Sequence, residues 1–151
     1  MSTQQTCLAG KRDIQDIDTL LCSAQEPIGL SLNFCGSEMR SKRCEWLEAK
    51  VAHNLLWVVR DGDDLVGVLV LEQDLLERVV GIAYIVVAER MRGQRVIGPM
   101  LVEKSKSLAD TGFLEAEARN DNARRLLARR GFQKAQRRSS SGYPILIWSR
   151  S

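Results

Sequence analysis

The chain has 151 residues, of which 44% are hydrophobic and 27% charged, and its formal net charge is +3. These values are typical of one globular domain spanning residues 1–151, and they exclude collagenous, low-complexity and wholly disordered classes. No apolar run approaches the roughly 20 residues of a membrane span, and the N-terminal residues lack the pattern of a secretory signal. We therefore expect a cytoplasmic protein with no membrane partner.

The cysteines do not have the spacing of a metal site. None of the four cysteines belongs to a CxxC pair, and His53 is the only histidine. Because zinc sites need closely spaced Cys and His ligands, the sequence predicts no metal. Reduced thiols are expected in the cytoplasm, so the cysteines are interpreted as small buried hydrophobes. A catalytic Cys–His pair would have to use His53 and is the weaker interpretation.

The first part of the chain predicts a short strand and two helices. Residues 6–10 suit a strand, after which Asp13 caps an amphipathic helix. Residues 25–36 contain proline and glycine and predict an irregular stretch. A second helix then begins at Ser37 or Ser41.

The middle of the chain predicts a hairpin and a buried strand. Residues 55–60 and 65–72 are two apolar strands separated by the turn sequence Asp-Gly-Asp-Asp. Residues 79–87 form a continuous apolar run, which is typical of a strand covered on both faces.

Helices and strands alternate in the remainder. A helix is expected from about residue 98 to 109, followed by a strand at 113–118. The next helix is capped by Asn120 or Asp121 and closed by Gly131. The last strands are residues 132–136 and 145–148. The whole order predicts an α/β fold with a mixed sheet layered with helices.

The turn before the predicted helix at residue 98 has the features of an anion site. A buried strand leads into a basic, glycine-containing turn and then a helix. The first N–H groups of a helix have no internal partner, and its dipole adds positive potential, so the place suits a phosphate or pyrophosphate. An arginine-rich segment at residues 119–138 could favour an anionic ligand too, or simply form a solvated basic face.

Two segments together carry a family resemblance. The first places Val87, Arg92, Gly93, Met100 and Leu101 at signature positions, and the second has the pattern Asn120, Ala123, Leu126, Gly131, Phe132. Together they resemble the GNAT superfamily of acyl-CoA-dependent N-acyltransferases, and the element order agrees over nearly the whole chain. The resemblance implies a single-domain GNAT-like fold with a mixed, mostly antiparallel sheet of six to seven strands and helices on both faces.

The resemblance also implies a cofactor site. Acetyl-CoA, as the acyl donor, would lie in a gap between the strand ending at Val87 and the strand at residues 113–118. Its pantetheine arm would pair with the backbone of Ile85, Val86 and Val87. Its pyrophosphate would rest on N–H groups of Arg92, Gly93, Gln94, Arg95, Val96 and Ile97, while Asn120 and Ala123 would line the other side. The acceptor would be a primary amine, either of a small molecule or of a peptide.

The chain departs from the family pattern at three positions. Arg95 and Ile97 replace glycines that permit close approach and positive φ, and Leu127 replaces the tyrosine that serves as general acid. Pro99 adds a constraint, because it suits the first helical position only if Gly98 is the N-cap. We therefore expect a longer or displaced anion loop in which Arg92 and Arg95 supply charge.

Two tyrosines are the catalytic candidates. Tyr84 lies on the strand before the basic turn, where many family members place a base or water-holding residue. Tyr143 lies in the last hairpin loop, near the family's substrate site. Each also has a plain structural interpretation, as a strand aromatic or a loop-packing aromatic. Glu72 ends a neighbouring strand and could activate a water, or be a solvated strand end.

Three function classes follow from these residues. The first is an N-acetyltransferase in which an amine attacks the thioester directly. The second is a catalytically weak or inactive module that binds acyl-CoA or acts through a partner, favoured by Arg95, Ile97 and Leu127. The third, nucleic-acid binding, is disfavoured because the arginine-rich segment lacks interleaved aromatics. Family members often pair through their sheets or C-terminal strands, so the resemblance is compatible with a homodimer.

Overall fold

The computed structural model describes residues 4–23, 36–140 and 142–150, so most of the predicted irregular stretch at 25–36 lies outside the described residues. The described chain forms one seven-stranded sheet in the order β1-β2-β3-β4-β5-β7-β6. The strands are β1 (Thr6–Leu8), β2 (Leu56–Asp61), β3 (Asp64–Gln73), β4 (Val79–Val87), β5 (Phe113–Glu117), β6 (Gln133–Arg138) and β7 (Pro144–Ser149). Neighbouring strands are antiparallel, except for the parallel pair β4 and β5. The predicted α/β class and mixed, mostly antiparallel sheet are confirmed.

Helices cover both faces of the sheet. They are α1 (Ile14–Ser23), α2 (Arg40–Ala52), α3 (Ile97–Leu108) and α4 (Asp121–Arg129). Alternate strand residues divide between two cores: Val58 and Val70 pack with α1 and α2, whereas Val59 and Leu71 pack with α3 and α4. We call these the α1–α2 face and the α3–α4 face. None of the described helices is both long and apolar enough to cross a membrane.

Local signals place several elements where the sequence predicts them. Gly62 adopts φ +64° in the turn between β2 and β3, where Asp61 pairs with Asp64. Asn120 caps α4, because its side-chain oxygen accepts a hydrogen bond from the Ala123 N–H at 2.8 Å. Gly131, at φ +90°, follows the end of the same helix.

Three helix starts differ from the prediction. Helix α2 begins at Arg40 with Met39 as its N-cap, after a 3-10 turn at Ser37–Met39, rather than at Ser37 or Ser41. Asp13 does not cap α1; it ends a 3-10 turn leading into the helix, and its carboxylate accepts the Gly10 N–H at 2.8 Å. The N-cap of α3 is Val96 rather than Gly98, so Pro99 occupies the third helical position. Its ring is tolerated there because the carbonyl four residues back belongs to Arg95, which precedes the helix.

Strands β4 and β5 pair over only two residue pairs, Gly81 with Glu115 and Ile82 with Ala116. Glycine is needed at 81, since a Cβ there would lie 2.9 Å from the Glu115 carbonyl oxygen. Immediately after Ile82, β4 carries a bulge at Ala83, where the register with β3 shifts. Beyond this short contact the two strands have no further pairing, and a cleft opens between them.

Candidate active site

The cleft between β4 and β5 has a volume of about 470 Å³ and is bounded by four parts of the chain. These are β4, the turn before α3 with the first residues of that helix, the end of β5, and α4 along its length. Among the predicted cofactor residues, seven line it: Ile85, Val87, Arg92, Gly93, Arg95, Asn120 and Ala123. The structure therefore brings most of the predicted site into one cavity.

Four predicted cofactor residues lie off the cleft wall. Val86 and Ile97 are buried in the two cores, one on each face of the sheet. Val96 is 45% exposed and borders a separate groove against β1. The Gln94 side chain reaches back to the Arg90 carbonyl at 3.5 Å. Any role of these four residues would have to come from their main chain.

The free edge of β4 presents main-chain groups to the cleft. The Ala88 N–H bonds to the Val66 carbonyl on β3 at 2.8 Å. Since N–H and C=O directions alternate along a strand, those of Val87 and Ile85 point the opposite way, toward the cleft. The Val87 carbonyl already accepts a hydrogen bond from Arg92 Nε at 3.0 Å. The Arg92 side chain thus folds over the end of β4.

The turn before α3 supplies N–H groups that the helix itself does not use. The Arg92 N–H is engaged with the Glu89 carbonyl at 3.1 Å, so it is not among them. The N–H groups of Ile97 and Gly98, in the first turn, have no partner inside the helix, while Pro99 has no N–H. The main-chain donors available to an anion therefore begin after Arg92.

The two departures from the glycine pattern have different consequences. Arg95 adopts φ +56°, the left-handed conformation that glycine adopts without strain. Arg95 also borders the cleft. Ile97 is only 1% exposed and points away from the cleft. It packs against Gly67 on β3, where a Cβ would lie 2.6 Å from Ile97 Cγ2. Ile97 therefore fills the core and leaves the cleft open.

Positive charge surrounds the mouth of the cleft. Arg92, Arg95, Arg125 and Arg129 all line it, and none of the four forms an ion pair with an acidic side chain in the described residues. By contrast, Arg124 pairs with Asp121 at 3.5 Å on the outside of α4. Unpaired guanidinium groups beside a helix start suit an anionic ligand.

Tyr84 lies on the cleft wall within a cluster of polar and aromatic side chains. Arg119 Nη1 donates to the Tyr84 hydroxyl oxygen at 2.7 Å, and the guanidinium carbon lies 4.8 Å from the ring centroid. Trp46 of α2 meets the same ring edge-on, with centroids 5.9 Å apart. Glu117 Oε1 lies 3.5 Å from Arg119 Nε, and both residues also line the cleft.

Sequence reasoning missed Glu117 and Arg119. The signal was the alternation along β5, where Leu114, Ala116 and Ala118 are buried on the α3–α4 face. The intervening charged residues must then project from the other face, at the end of the strand that leads into the cleft.

The other catalytic candidates lie elsewhere. Tyr143 is in the β6–β7 hairpin, 36% exposed, with its N–H donating to Ser139 Oγ at 3.1 Å, and it is not part of the cleft wall. Glu72 lies near Lys50, whose pKa is lowered by burial against the opposing effect of the Glu72 charge. Lys50 Nζ donates to the Leu71 carbonyl at 2.7 Å. Tyr84 and Tyr143 are thus not brought together.

The site contains no cluster of metal ligands. Across residues 4–23, 36–140 and 142–150, no group of three His, Cys, Asp or Glu side chains could hold a metal ion. His53 and the described cysteines do not line the cleft.

A sequence comparison identifies the family of this chain. A sequence model of the acetyltransferase (GNAT) family matches residues 20–132, well over half of the chain. The chain belongs to the GNAT acetyltransferase family. The matched residues include those that line the cleft, the basic turn and all of α4. A search of curated proteins finds no match.

Solved structures share this GNAT fold at low sequence identity. The PaiA N-acetyltransferase of Thermoplasma acidophilum, in complex with coenzyme A, has a TM-score of 0.79 and 12% identity over 98% of this chain and 99% of its own. A GNAT acetyltransferase of Streptococcus agalactiae gives 0.75 and 14% over 98% and 96%. YncA of Salmonella typhimurium, with its cofactor acetyl-CoA, gives 0.71 and 16% over 98% and 94%. Identities this low establish the fold alone.

Proposed function

We propose that this GNAT protein transfers an acetyl group from acetyl-CoA to a primary amine. The observation that carries the proposal is the cleft between β4 and β5, which combines a free strand edge, a helix start and unpaired arginines. These three features match the three chemical parts of the donor: an amide-containing arm, a diphosphate and a ribose phosphate.

Each part of the donor has a proposed partner. The pantetheine amides pair with the main-chain groups of Ile85 and Val87 that point into the cleft. The diphosphate binds the N–H groups that follow Arg92, with the guanidinium groups of Arg92 and Arg95 adding charge. Arg125 or Arg129 at the cleft mouth meets the 3′-phosphate.

Direct attack requires positioning and proton movement. The amine nitrogen bonds to the thioester carbonyl carbon, the C–S bond breaks, the nitrogen loses a proton and the thiolate gains one. We propose that Tyr84 donates this proton to the sulfur. Arg119 donates to the Tyr84 oxygen, so the hydroxyl hydrogen is free to point at another acceptor. In this way Tyr84 would replace the tyrosine that Leu127 displaces from α4.

The test combines binding with turnover. We expect calorimetry to detect acetyl-CoA binding and a thiol-release assay to detect transfer to members of an amine panel. Tyr84→Phe should lower kcat by about 10- to 100-fold, toward the lower end of acid–base contributions because a thiolate is a good leaving group. It should leave the Kd for acetyl-CoA unchanged. Tyr143→Phe tests the other candidate, and a larger kcat loss there would move the role to Tyr143.

A second candidate function is an acyl-CoA-binding module without transfer. It is favoured by the buried Leu127, which offers no proton to the cleft. This alternative predicts acetyl-CoA binding with no thiol release for any amine, whereas a transferase releases thiol only when the acceptor is added.

A further inference from the structure

The Glu117–Arg119 pair on the cleft wall is incompletely satisfied. Glu117 Oε1 and Arg119 Nε lie 3.5 Å apart, and each is buried without a hydrogen-bond partner. Both side chains are only about a quarter exposed, at 24% and 26%. Polar atoms that are buried without a hydrogen bond are costly, so these two atoms favour a bound partner.

Each member of the pair also has a group left over for a ligand. Arg119 uses Nη1 on the Tyr84 hydroxyl, and its Nη2 donates to no other described residue. Glu117 accepts no hydrogen bond from the described residues through either oxygen. The pair therefore retains a carboxylate oxygen and a guanidinium nitrogen without partners among the described residues, and both residues line the cleft beside Tyr84, the proposed proton donor.

A neighbouring pair on the same strand shows the difference. Glu115, two residues earlier, accepts a hydrogen bond from Arg137 on β6, and neither residue lines the cleft. The two members of that ion pair hydrogen-bond directly to each other. The Glu117–Arg119 pair has no such bond and faces the cavity.

We infer that Glu117 and Arg119 form the acceptor subsite and that the acceptor is a zwitterion of the α-amino acid class, an inference that rests on the proposed transferase function. The acceptor ammonium binds the Glu117 carboxylate, and the acceptor carboxylate binds Arg119 Nη2. Only a ligand with both charges a short distance apart satisfies both residues. A simple cationic amine offers no acceptor to Arg119 Nη2, and an anionic ligand offers no donor to the Glu117 carboxylate.

The experiment compares acceptors that share one amine. For each standard amino acid, kcat/KM is measured beside its carboxamide and its decarboxylated amine. At least one amino acid should exceed both analogues by about 30-fold or more, as expected when one partner of a buried charge pair is removed. Arg119→Gln should bring the ratio of amino acid to carboxamide close to one. Because this is a ratio, a general fall in kcat caused by disturbing Tyr84 does not alter it.

Further variants separate recognition from structure. Arg119→Lys keeps the charge and should retain part of the preference, while Glu117→Gln should raise KM for amino acids. Arg78→Gln, in the β3–β4 turn, is the matched control, since Arg78 pairs only with Asp74 in the described chain. Its acceptor preference should equal that of the wild type, and circular dichroism verifies the fold of each variant.

The outcomes distinguish the inference from the function on which it rests. Equal or faster acylation of carboxamides and simple amines overturns the zwitterion inference and leaves the transferase intact. Failure of acetyl-CoA to bind in calorimetry, or absence of thiol release with every amine, overturns the proposed function itself.

Discussion

Ile97 at the start of α3 occupies the space that Gly67 leaves open on β3. A Cβ built on Gly67 would approach Ile97 Cγ2 to 2.6 Å and Leu101 Cδ1 to 3.3 Å. An isoleucine at a position where the family signature has a small residue is therefore accommodated by a glycine 30 residues earlier. This pairing explains why the departure does not close the cleft.

We expect Gly67→Ala and Ile97→Ala to be coupled. Gly67→Ala overpacks the core and should cost about 1–3 kcal/mol, and Ile97→Ala opens a cavity and should cost about 2–5 kcal/mol. The double variant should lose at least about 0.5 kcal/mol less than the sum, because the new methyl group fills part of the cavity. Urea unfolding of the four proteins measures the coupling.

Gly10→Ala is the control for this cycle. A Cβ at Gly10 meets nothing closer than Asp13 Oδ2 at 3.9 Å, so its effect on stability should be small. Strict additivity of Gly67→Ala and Ile97→Ala would contradict the packing relationship.

Arg95 should contribute backbone strain. At φ +56° any residue with a Cβ is disfavoured by about 1–2 kcal/mol relative to glycine. Arg95→Gly and Arg95→Ala both remove the guanidinium group, but only glycine relieves the strain. Thermal unfolding should rank the glycine variant above the alanine variant by about 1 kcal/mol, and both should bind acetyl-CoA more weakly than the wild type. Equal stability of the glycine and alanine variants would show that the backbone at residue 95 relaxes out of the left-handed conformation.

Asn120 should have separable structural and binding roles. Asn120→Ala removes the N-cap of α4 and should cost about 1 kcal/mol in chemical unfolding. Asn120→Asp keeps the cap acceptor, so stability should be retained. Its added negative charge on the cleft wall should still weaken acetyl-CoA binding in calorimetry. If Asn120→Asp also destabilises the protein by about 1 kcal/mol, the N-cap hydrogen bond does not explain the stability lost in Asn120→Ala.

Asp13 should make the stability of the protein sensitive to acid. Burial tends to raise the pKa of Asp13, but the Gly10 N–H and Arg60 outweigh it, and the pKa lies below its usual value. The lowered pKa contributes stability that is present above the unfolded-state pKa of about 3.9 and lost as pH falls through the folded value. Asp13→Asn should therefore lower Tm at pH 7, with the difference from wild type shrinking below about pH 4.

The matched change for this experiment is Asp63→Asn, in the β2–β3 turn, whose side chain has no ion pair in the described residues. Its effect on Tm at pH 7 should be smaller than that of Asp13→Asn, because no ion pair is lost. A Tm difference between Asp13→Asn and wild type that persists unchanged to pH 3 would show that Asp13 is not the source of the acid sensitivity.

The sequence predicts those features whose cause is local. The hairpin around Gly62 and the start and end of α4 at Asn120 and Gly131 each depend on a few neighbouring residues. Seven of the residues that line the cleft follow from the resemblance to GNAT proteins, because the signature segments flank the open end of β4.

Features that depend on contacts between distant segments could not be predicted in this way. The Tyr84–Arg119 hydrogen bond joins residues 35 positions apart and depends on the parallel register of β4 and β5. The bulge at Ala83 also depends on how β3 and β4 align, and alternation in a single strand does not reveal it. The early start of α3 accompanies the packing of Ile97 into the core, and it places Pro99 at the third helical position rather than the first.

The parallel contact between β4 and β5 is also where two separate stretches of chain meet. Strands β1 to β4 come from residues 6–87, and β5 to β7 come from residues 113–149. Each half of the sheet is thus continuous in sequence, so its strands can meet at a modest cost in loop-closure entropy. A molecule bound in the cleft touches both halves at once, and the stability of the whole chain becomes linked to the concentration of that molecule.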